Sequence, residues 1–190
     1  MRPGFVFQRT SASAQRRLMG GPFVPTRLLR PGSLPVVPWP AGLRIQTMHT
    51  DDIAEAFRLV AMSPEARGAY NVAADPVIDA SVFGDVMGAR VVPVPAYAAK
   101  QLLKALWHLH VVPAEPPLMD LVMGLPLLDT SRLRGLGWSP RVAADDALRE
   151  VLTGMAEGAG GPSPSQAPDS GGERLDELAS GVGEKSTPAG

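Results

Sequence analysis

The chain alternates between stretches with the apolar spacing of helices and short apolar runs bounded by glycine and proline. In one of the helical stretches, Ile53, Phe57 and Val60 recur at the i, i+4, i+7 spacing of an amphipathic helix. Thr50 suits the N-cap of this helix, and the carboxylates of Asp51 and Asp52 would stabilise its first turn. The same pattern predicts helices over residues 50–62, 79–87, 97–109, 116–123, 130–134 and 143–155.

Short runs rich in β-branched and aromatic residues predict the strands. They cover residues 5–7, 45–49, 69–73 and 90–94. Pro93 and Pro95 confine the last of these strands to an edge or an end of a sheet, because proline lacks the N–H that a central strand donates. Residues 20–42 contain six prolines and are predicted to form a loop with at most one helical turn, near residues 26–30. Since strands and helices alternate, the pattern favours an α/β chain with an incomplete parallel sheet.

Glycine and proline set the end of the chain apart from the rest. Residues 157–190 hold 12 of the 40 Gly and Pro residues and carry a net charge of −4. Such a segment buries too little apolar surface to offset the entropy of ordering it. We therefore expect a folded portion over residues 1–156 and a flexible, disordered C-terminal tail over residues 157–190.

Charge divides the folded portion into a basic front and an acidic remainder. Residues 1–50 have a net charge of +7 and residues 51–156 a net charge of −4. The basic charges of the front are all arginines: Arg2, Arg9, Arg16, Arg17, Arg27, Arg30 and Arg44. Isolated arginines fork onto carboxylates and phosphates, so the front favours a pocket for an anionic small molecule. Seven arginines spread over 50 residues are a weak footprint for nucleic acid, and we expect no nucleic-acid partner.

Composition excludes several classes of protein. The sequence has no cysteine, which rules out a disulfide framework, thiolate metal ligands and a cysteine nucleophile. The longest stretch without a charged residue, 31–43, has 13 residues and falls short of the ~18 apolar residues that span a bilayer. We expect a cytoplasmic protein with no membrane partner.

Familiar catalytic motifs are missing from the sequence. No G-x-G-x-x-G follows a predicted strand, and none of the three lysines follows a glycine-rich phosphate loop. No G-x-S-x-G nucleophile turn occurs either. The sequence therefore identifies no catalytic residue and no metal site.

The remaining polar candidates each have a structural interpretation beside the functional one. His108 and His110 stand two residues apart in a predicted helix, so they point to different sides and cannot share a metal. Tyr97 and Lys100 are three residues apart, one short of the spacing usual for a catalytic Tyr/Lys pair, and a helix-start Tyr with an exposed Lys is favoured. His49 lies at a strand-to-helix junction, where facing a ligand and capping the helix explain it equally well.

Five motifs in order resemble one family. Residues 2–7 (RPGFVF) resemble the R-P-G-x-V-[FY] segment that follows the catalytic helix of extended short-chain dehydrogenases, the NAD-dependent epimerase/dehydratase family. Residues 48–54 (MHTDDIA) resemble its V-H-V-D-D-[VI]-A junction. The further matching segments are 68–73 (GAYNVA), 129–133 (DTSRL) with 136–140 (LGWSP), and the final helix at 147–152 (ALREVL). Order and spacing agree over residues 2–155.

The resemblance implies that this chain is the C-terminal, substrate-binding part of an extended Rossmann-type enzyme. The family's dinucleotide loop and its catalytic Ser, Tyr and Lys lie upstream of the matching segments, so the chain would lack them and be inactive alone. The partners implied are a small-molecule substrate and a missing N-terminal half. NAD or NADP would bind a full-length relative, with none bound tightly by this chain.

The resemblance also suggests site residues. Pro3 and Gly4 would pass their backbone near the nicotinamide, and Phe5 would sit at the substrate face. Phe5 stands where nucleotide-sugar epimerases commonly carry Asn, and residues 45–47 (IQT) replace their R-D-[FY] triplet. Both departures disfavour a nucleotide-sugar substrate. The candidates for gripping an anionic substrate are Arg16, Arg17 and Arg44, and His49 completes the set of substrate-binding candidates.

Two functions from different classes follow from the sequence. The first is an epimerase/dehydratase-like oxidoreductase fragment that shapes a substrate pocket. The second is a non-catalytic protein that binds a ligand or docks a partner, which exposed apolar surface would favour.

Overall fold

The structure is a computed structural model that describes residues 1–19, 25–163 and 166. The strands are β1 (Arg2–Pro3), β2 (Phe5–Phe7), β3 (Val36–Pro40), β4 (Thr47–His49), β5 (Asn71–Val72) and β6 (Arg90–Val94). The α-helices are α1 (Ala12–Met19), α2 (Thr50–Met62), α3 (Ala80–Met87), α4 (Ala96–His108), α5 (Pro116–Met123), α6 (Ser131–Arg134) and α7 (Ala144–Glu157). Short 3-10 turns cover Arg9–Ser11 and Thr26–Leu29.

The strands pair in parallel, and the prediction of an α/β chain with parallel strands is confirmed. The pairs are β1 with β5, β2 with β4, and β3 with β6. One residue, Gly4, separates β1 from β2. Its N–H donates to the carbonyl of Val72 at 2.9 Å, whereas the next N–H, that of Phe5, donates to the carbonyl of Gln46 at 2.9 Å. The chain therefore changes pairing partner at Gly4.

The core lies between these strands and α7. Met48, Val72 and Ile78 are fully buried there. A Cβ added to Gly154 of α7 would lie 2.8 Å from the Cβ of Ala12 in α1, so glycine at this position lets the two helices pack closely. The C-terminal helix thus holds the N-terminal segment of the chain against the core.

A buried carboxylate joins two elements of this core. Asp52 in α2 is 1% exposed, and its carboxylate accepts the backbone N–H groups of Arg141 at 2.9 Å and Val142 at 3.1 Å. The indole N–H of Trp138 donates to the backbone carbonyl of Asp52 at 3.1 Å. Asp52 therefore does more than stabilise a helix terminus, because it fixes the segment that leads into α7.

Several predicted elements agree with the structure to within one or two residues, and the ends of α3 show why. Asp79 caps this helix by accepting from the N–H groups of Ser81 and Val82. Gly88 ends it in the left-handed conformation at φ 60°, which a glycine adopts without strain. Strand β6 and helix α5 have the predicted bounds.

The loop predicted over residues 20–42 is wrong in its second half, where β3 lies. Its exposed and buried residues alternate, with Val37 and Trp39 pointing inward and Pro38 pointing outward. The prolines hide this period of two, although an edge strand tolerates them. Residues 20–24 of the predicted loop lie outside the described residues.

Other local predictions are also corrected. The hydrophobic pattern does not predict helix α1. The N-cap of α2 is His49 rather than Thr50, and Phe57, placed by its spacing on the inner face of α2, is 53% exposed. His110 adopts φ 57° beyond the end of α4, so the two histidines are not on one helix. Helix α7 extends to Glu157, and residues 164–165 and 167–190 of the predicted tail lie outside the described residues.

Candidate functional site

A cavity of about 360 Å³ opens where β1, β2 and the segment before β4 meet the segment that follows α5. Three short stretches of chain line it: residues 3–5, 44–46 and 125–128. Its volume lies within the range of ~300–1,000 Å³ that is usual for small-molecule pockets. Most of its lining is apolar.

The first wall depends on a glycine. A Cβ added to Gly4 would lie 2.5 Å from the carbonyl oxygen of Gln46. Any larger residue would therefore push β1 and β2 away from the segment before β4. The missing side chain of Gly4 thus lets its backbone lie against the backbone of Gln46.

Gln46 joins the other two walls. Its side-chain nitrogen Nε2 donates to the carbonyl of Leu128 at 3.2 Å, and its Oε1 accepts the N–H of Leu128 at 2.5 Å. Its backbone carbonyl accepts the N–H of Phe5. A single residue thus connects all three stretches that line the cavity.

The third wall is apolar and anchored at its far end. Leu125 and Leu127 are 42% and 41% exposed, a large exposure for leucine side chains beside a cavity. Beyond them, the carbonyl of Asp129 accepts the side-chain N–H of Asn71 in β5 at 2.9 Å. The N–H of Ser131 donates to the Asp129 carboxylate at 2.8 Å and lowers the pKa of that carboxyl, with help from the Ser131 hydroxyl. The wall is therefore tied to β5 and to the segment before β4.

Arg44 supplies the only charge among the lining residues. Its side chain is exposed, and among the described residues it has neither an ion-pair partner nor a hydrogen-bond partner. An unpaired guanidinium beside an apolar cavity can accept a carboxylate or phosphate with two parallel hydrogen bonds.

Four of the candidates from the sequence come together at this cavity: Pro3, Gly4, Phe5 and Arg44. Arg16 and Arg17 lie in α1 and are not among the lining residues, and neither is His49.

His49 holds a helix terminus. Its Nδ1 accepts the N–H of Asp51 at 3.2 Å, and its Nε2 lies 3.5 Å from Oε2 of Glu150 in α7. The side chain is 12% exposed. Of the two interpretations that the sequence left open, this geometry matches capping.

Sequence reasoning missed Gln46 and the wall formed by residues 125–128. The run Leu125-Pro126-Leu127-Leu128 carries an apolar signal, but nothing in its spacing shows which strand it faces. Gln46 stands in the place of the family's R-D-[FY] triplet, and its role appears only when Leu128 lies beside it.

The other polar candidates do not assemble into a site. Tyr97 is 75% exposed, and Lys100 pairs with Asp120 at 2.5 Å between its Nζ and Oδ2. Within residues 1–19, 25–163 and 166, no three His, Asp or Glu side chains are grouped so that they could hold a metal ion. None of the helices in this part of the chain is long and apolar enough to cross a membrane.

The first turns of helices α2 and α7 are acidic. Helix α2 directly follows β4, the arrangement that often places a phosphate at a helix N-terminus, but its first turn carries Asp51 and Asp52. Two carboxylates there repel a phosphate. The first turn of α7 is acidic as well, with Asp145 and Asp146.

Three of the solved structures that are similar to the chain contain a dinucleotide. UDP-glucose 4-epimerase from Thermus thermophilus, in complex with NAD, is 19% identical, with a TM-score of 0.43 over 81% of this chain and 45% of its own. RMD from Pseudomonas aeruginosa, complexed with NADPH, is 15% identical, with a TM-score of 0.45 over 82% and 47%. UDP-glucuronic acid 4-epimerase from Bacillus cereus, with UDP-glucuronic acid and NAD, is 13% identical, with a TM-score of 0.41 over 82% and 44%.

The chain spans less than half the length of each of these proteins. No protein-family model matches the sequence. No curated protein sequence matches it significantly.

Proposed function

We propose that the chain forms the substrate-binding part of an NAD(P)-dependent oxidoreductase of the epimerase/dehydratase type and shapes a pocket for a small anionic molecule. One observation carries the proposal. Pro3, Gly4, Phe5 and Arg44, singled out from the sequence for cofactor or substrate binding, line one cavity of about 360 Å³. Because Pro3, Gly4 and Phe5 are consecutive, the informative part of this observation is that Arg44, far along the chain, lies at the same cavity.

In this proposal each lining stretch has a task. Arg44 grips the anionic group of the substrate through its guanidinium. Phe5 and the leucines of the third wall contact the rest of the molecule. The backbone of Pro3 and Gly4 forms the side that a nicotinamide ring would approach.

We further propose that this chain does not hold NAD or NADP tightly by itself. Its sequence contains no glycine-rich dinucleotide loop and no Y-x-x-x-K. The acidic first turn of α2 disfavours a phosphate at the one helix that directly follows β4. The tyrosine that acts as general acid and base during hydride transfer in the family would have to come from outside the segments present here.

A titration of the ¹⁵N-labelled chain with NAD tests this proposal. We expect fast-exchange shifts of the Gly4 and Phe5 amide signals, with a midpoint in the millimolar range, because only the nicotinamide end finds a surface. Micromolar binding would contradict the proposal. Millimolar shifts that spread over other amides and spare Gly4 and Phe5 would contradict it as well.

A second function, docking of a protein partner, is favoured by one specific observation. Helices α4 and α5 have no buried residues, and Leu102, Leu109 and Leu121 are each more than 60% exposed. Complete absence of amide shifts at Gly4 and Phe5 up to ten millimolar NAD (a concentration on the order of weak ligand binding) would favour this second function over the first.

A further inference from the structure

The cavity beside Arg44 combines an apolar lining with a single cation at its edge. We propose that it takes an amphiphilic carboxylate, whose anionic end binds Arg44 and whose apolar body lies against Phe5 and the wall of residues 125–128. The inference rests on the proposed function in one respect, namely that this cavity is the substrate pocket. It adds the chemical class of the ligand.

Apolar surface at the mouth of the cavity is the first reason. Leu125 and Leu127 leave about two fifths of their surface in contact with solvent, at 42% and 41% exposure. Both line the cavity beside Ile45 and Phe5. A ligand with an apolar body would cover these side chains and remove their surface from water, which is favourable in proportion to the area covered.

The second reason is that several polar groups of the lining are already used within the protein. The N–H groups of Gly4 and Phe5 donate to the carbonyls of Val72 and Gln46. Both ends of the Gln46 side-chain amide bond to Leu128. A sugar ring buries many hydroxyl groups that need partners, and this lining offers few.

The backbone of Ile45 is also hydrogen-bonded within the protein. Its N–H donates to the carbonyl of Ile78 at 3.0 Å, and its carbonyl accepts the N–H of Ile78 at 2.8 Å. These bonds therefore satisfy the backbone at the back of the cavity. An apolar body loses nothing by facing such a surface, whereas a hydroxylated one loses its bonds to water.

Arg44 supplies the third reason. It is the one charged lining residue, and it has no ion-pair partner among the residues that the structure describes. A carboxylate matches the planar fork of the guanidinium and forms charge-assisted hydrogen bonds with it. The site thus has one strong polar anchor and an apolar remainder, which is the pattern of a fatty or aryl carboxylate.

Isothermal titration calorimetry with octanoate tests the class of ligand. We expect octanoate to bind at least tenfold more tightly than 1-octanol, which has the same chain and no charge. Hexanoate, which is two methylenes shorter, should bind up to about sixteenfold more weakly than octanoate, because each methylene that is fully removed from water contributes about a fourfold change in affinity.

Two matched variants locate the anchor. Arg44→Gln should abolish the difference between octanoate and 1-octanol, whereas Arg90→Gln, on an exposed arginine of β6 away from the cavity, should leave it unchanged. Equal melting temperatures of the two variants show that the loss is not one of folding. Equal affinity of the unchanged protein for octanoate and 1-octanol, an equal loss in both variants, or tighter binding of glucose 1-phosphate than of octanoate would overturn the inference.

The outcome is separable from that of the NAD titration. Octanoate binding that depends on Arg44, together with micromolar NAD binding, would overturn the proposed function and uphold the ligand class. Shifts of the Gly4 and Phe5 amide signals at millimolar NAD, together with no preference for octanoate over 1-octanol, would uphold the proposed function and overturn the ligand class.

Discussion

Two sides of the molecule differ in how they use their helices. Helix α7 buries six residues: Ala144, Ala147, Leu148, Val151, Gly154 and Met155. Helices α4 and α5 bury none: Leu102 of α4 and Leu121 of α5 are each 61% exposed, and Leu109, directly after α4, is 70% exposed. The apolar residues of α7 pack in the core, whereas those of α4 and α5 leave apolar surface exposed for a ligand or a partner.

The candidate pocket lies where these two sides meet. Its first wall, residues 3–5, belongs to β1 and β2, which pack on the core. Its second wall, residues 44–46, directly precedes β4, and its third wall follows α5. A half with many buried residues and a half whose helices bury none therefore face each other across the cavity, and Gln46 joins them. Such a division suits a binding site, because the element with many buried contacts holds its residues in place and the element with few can adjust to a ligand.

Removing one apolar side chain from the core and one from α4 should give the largest difference in the free energy of unfolding. Ile78→Ala in the core should lower the free energy of unfolding by about 3–4 kcal/mol, because it leaves a cavity at a fully buried position. Leu102→Ala in α4 should change it by less than about 0.5 kcal/mol, since the side chain is already exposed. Urea denaturation measures both. Similar losses in the two variants would show that α4 contributes to the stability of the fold as much as the core does.

Asp52 tests the polar part of the same core. Asp52→Ala should cost about 3 kcal/mol, because two backbone N–H groups, of Arg141 and Val142, lose a charged acceptor in a buried place. Asp51→Ala, at a neighbouring carboxylate that is 85% exposed, is the matched control and should cost no more than about 1 kcal/mol. Chemical denaturation that finds the two variants equally destabilised would show that Asp52 acts only through the helix terminus.

Gln46 connects the strand segments to the third wall, so its substitution tests how that wall is held. Gln46→Ala should lower the free energy of unfolding by only about 1–2 kcal/mol, and should speed hydrogen exchange of the Leu128 amide at least tenfold. Gln46→Glu keeps the oxygen that accepts this N–H but loses the donor, and its exchange rate should fall between those of the unchanged protein and Gln46→Ala. If exchange at Leu128 is unchanged in Gln46→Ala, the third wall is held by other contacts.

The smallest effect concerns pH. Hydrogen bonds from Ser131, the backbone N–H first, lower the pKa of Asp129 in the folded chain. The stabilisation is therefore present at pH values above the ordinary carboxyl pKa of about 3.9 and is lost as pH falls through the lowered folded-state value. A ¹³C-detected titration should place the pKa of Asp129 below about 3.9, and Ser131→Gly, which removes the hydroxyl, should move it part of the way back. A pKa at or above that value would contradict the hydrogen bonds from Ser131 to Asp129.

The contrast also explains which elements the sequence could predict. Helix α3 and strand β6 were predictable because local signals mark their ends, namely the Asp79 cap and Gly88 for the helix and Pro95 after the strand. The pairing of β3 was not, because its prolines suggest a loop and its partner, β6, lies far away in the chain. Helix α1 also depends on a distant partner, since Ala12 packs against Gly154.

The site shows the same limit. The resemblance to a family placed Pro3, Gly4 and Phe5 at a ligand, and the charge pattern added Arg44 to the candidates. The charge pattern could not show that Arg44, rather than Arg16 or Arg17, lies at the cavity. The three side chains carry the same charge and differ only in where the fold places them. Gln46 was not predictable at all, since its bonds reach Leu128, 82 positions away in the sequence.

Intermolecular NOEs between the protein and the terminal methyl group of octanoate test the central claim most directly. The cavity between the strand segments and the third wall predicts NOEs to the ring of Phe5 and to the methyl groups of Leu125 and Leu127. NOEs to Leu102 and Leu109 instead would contradict the account, since they would show that the exposed leucines of α4 and its C-terminal end, and not the cavity, form the ligand-binding surface.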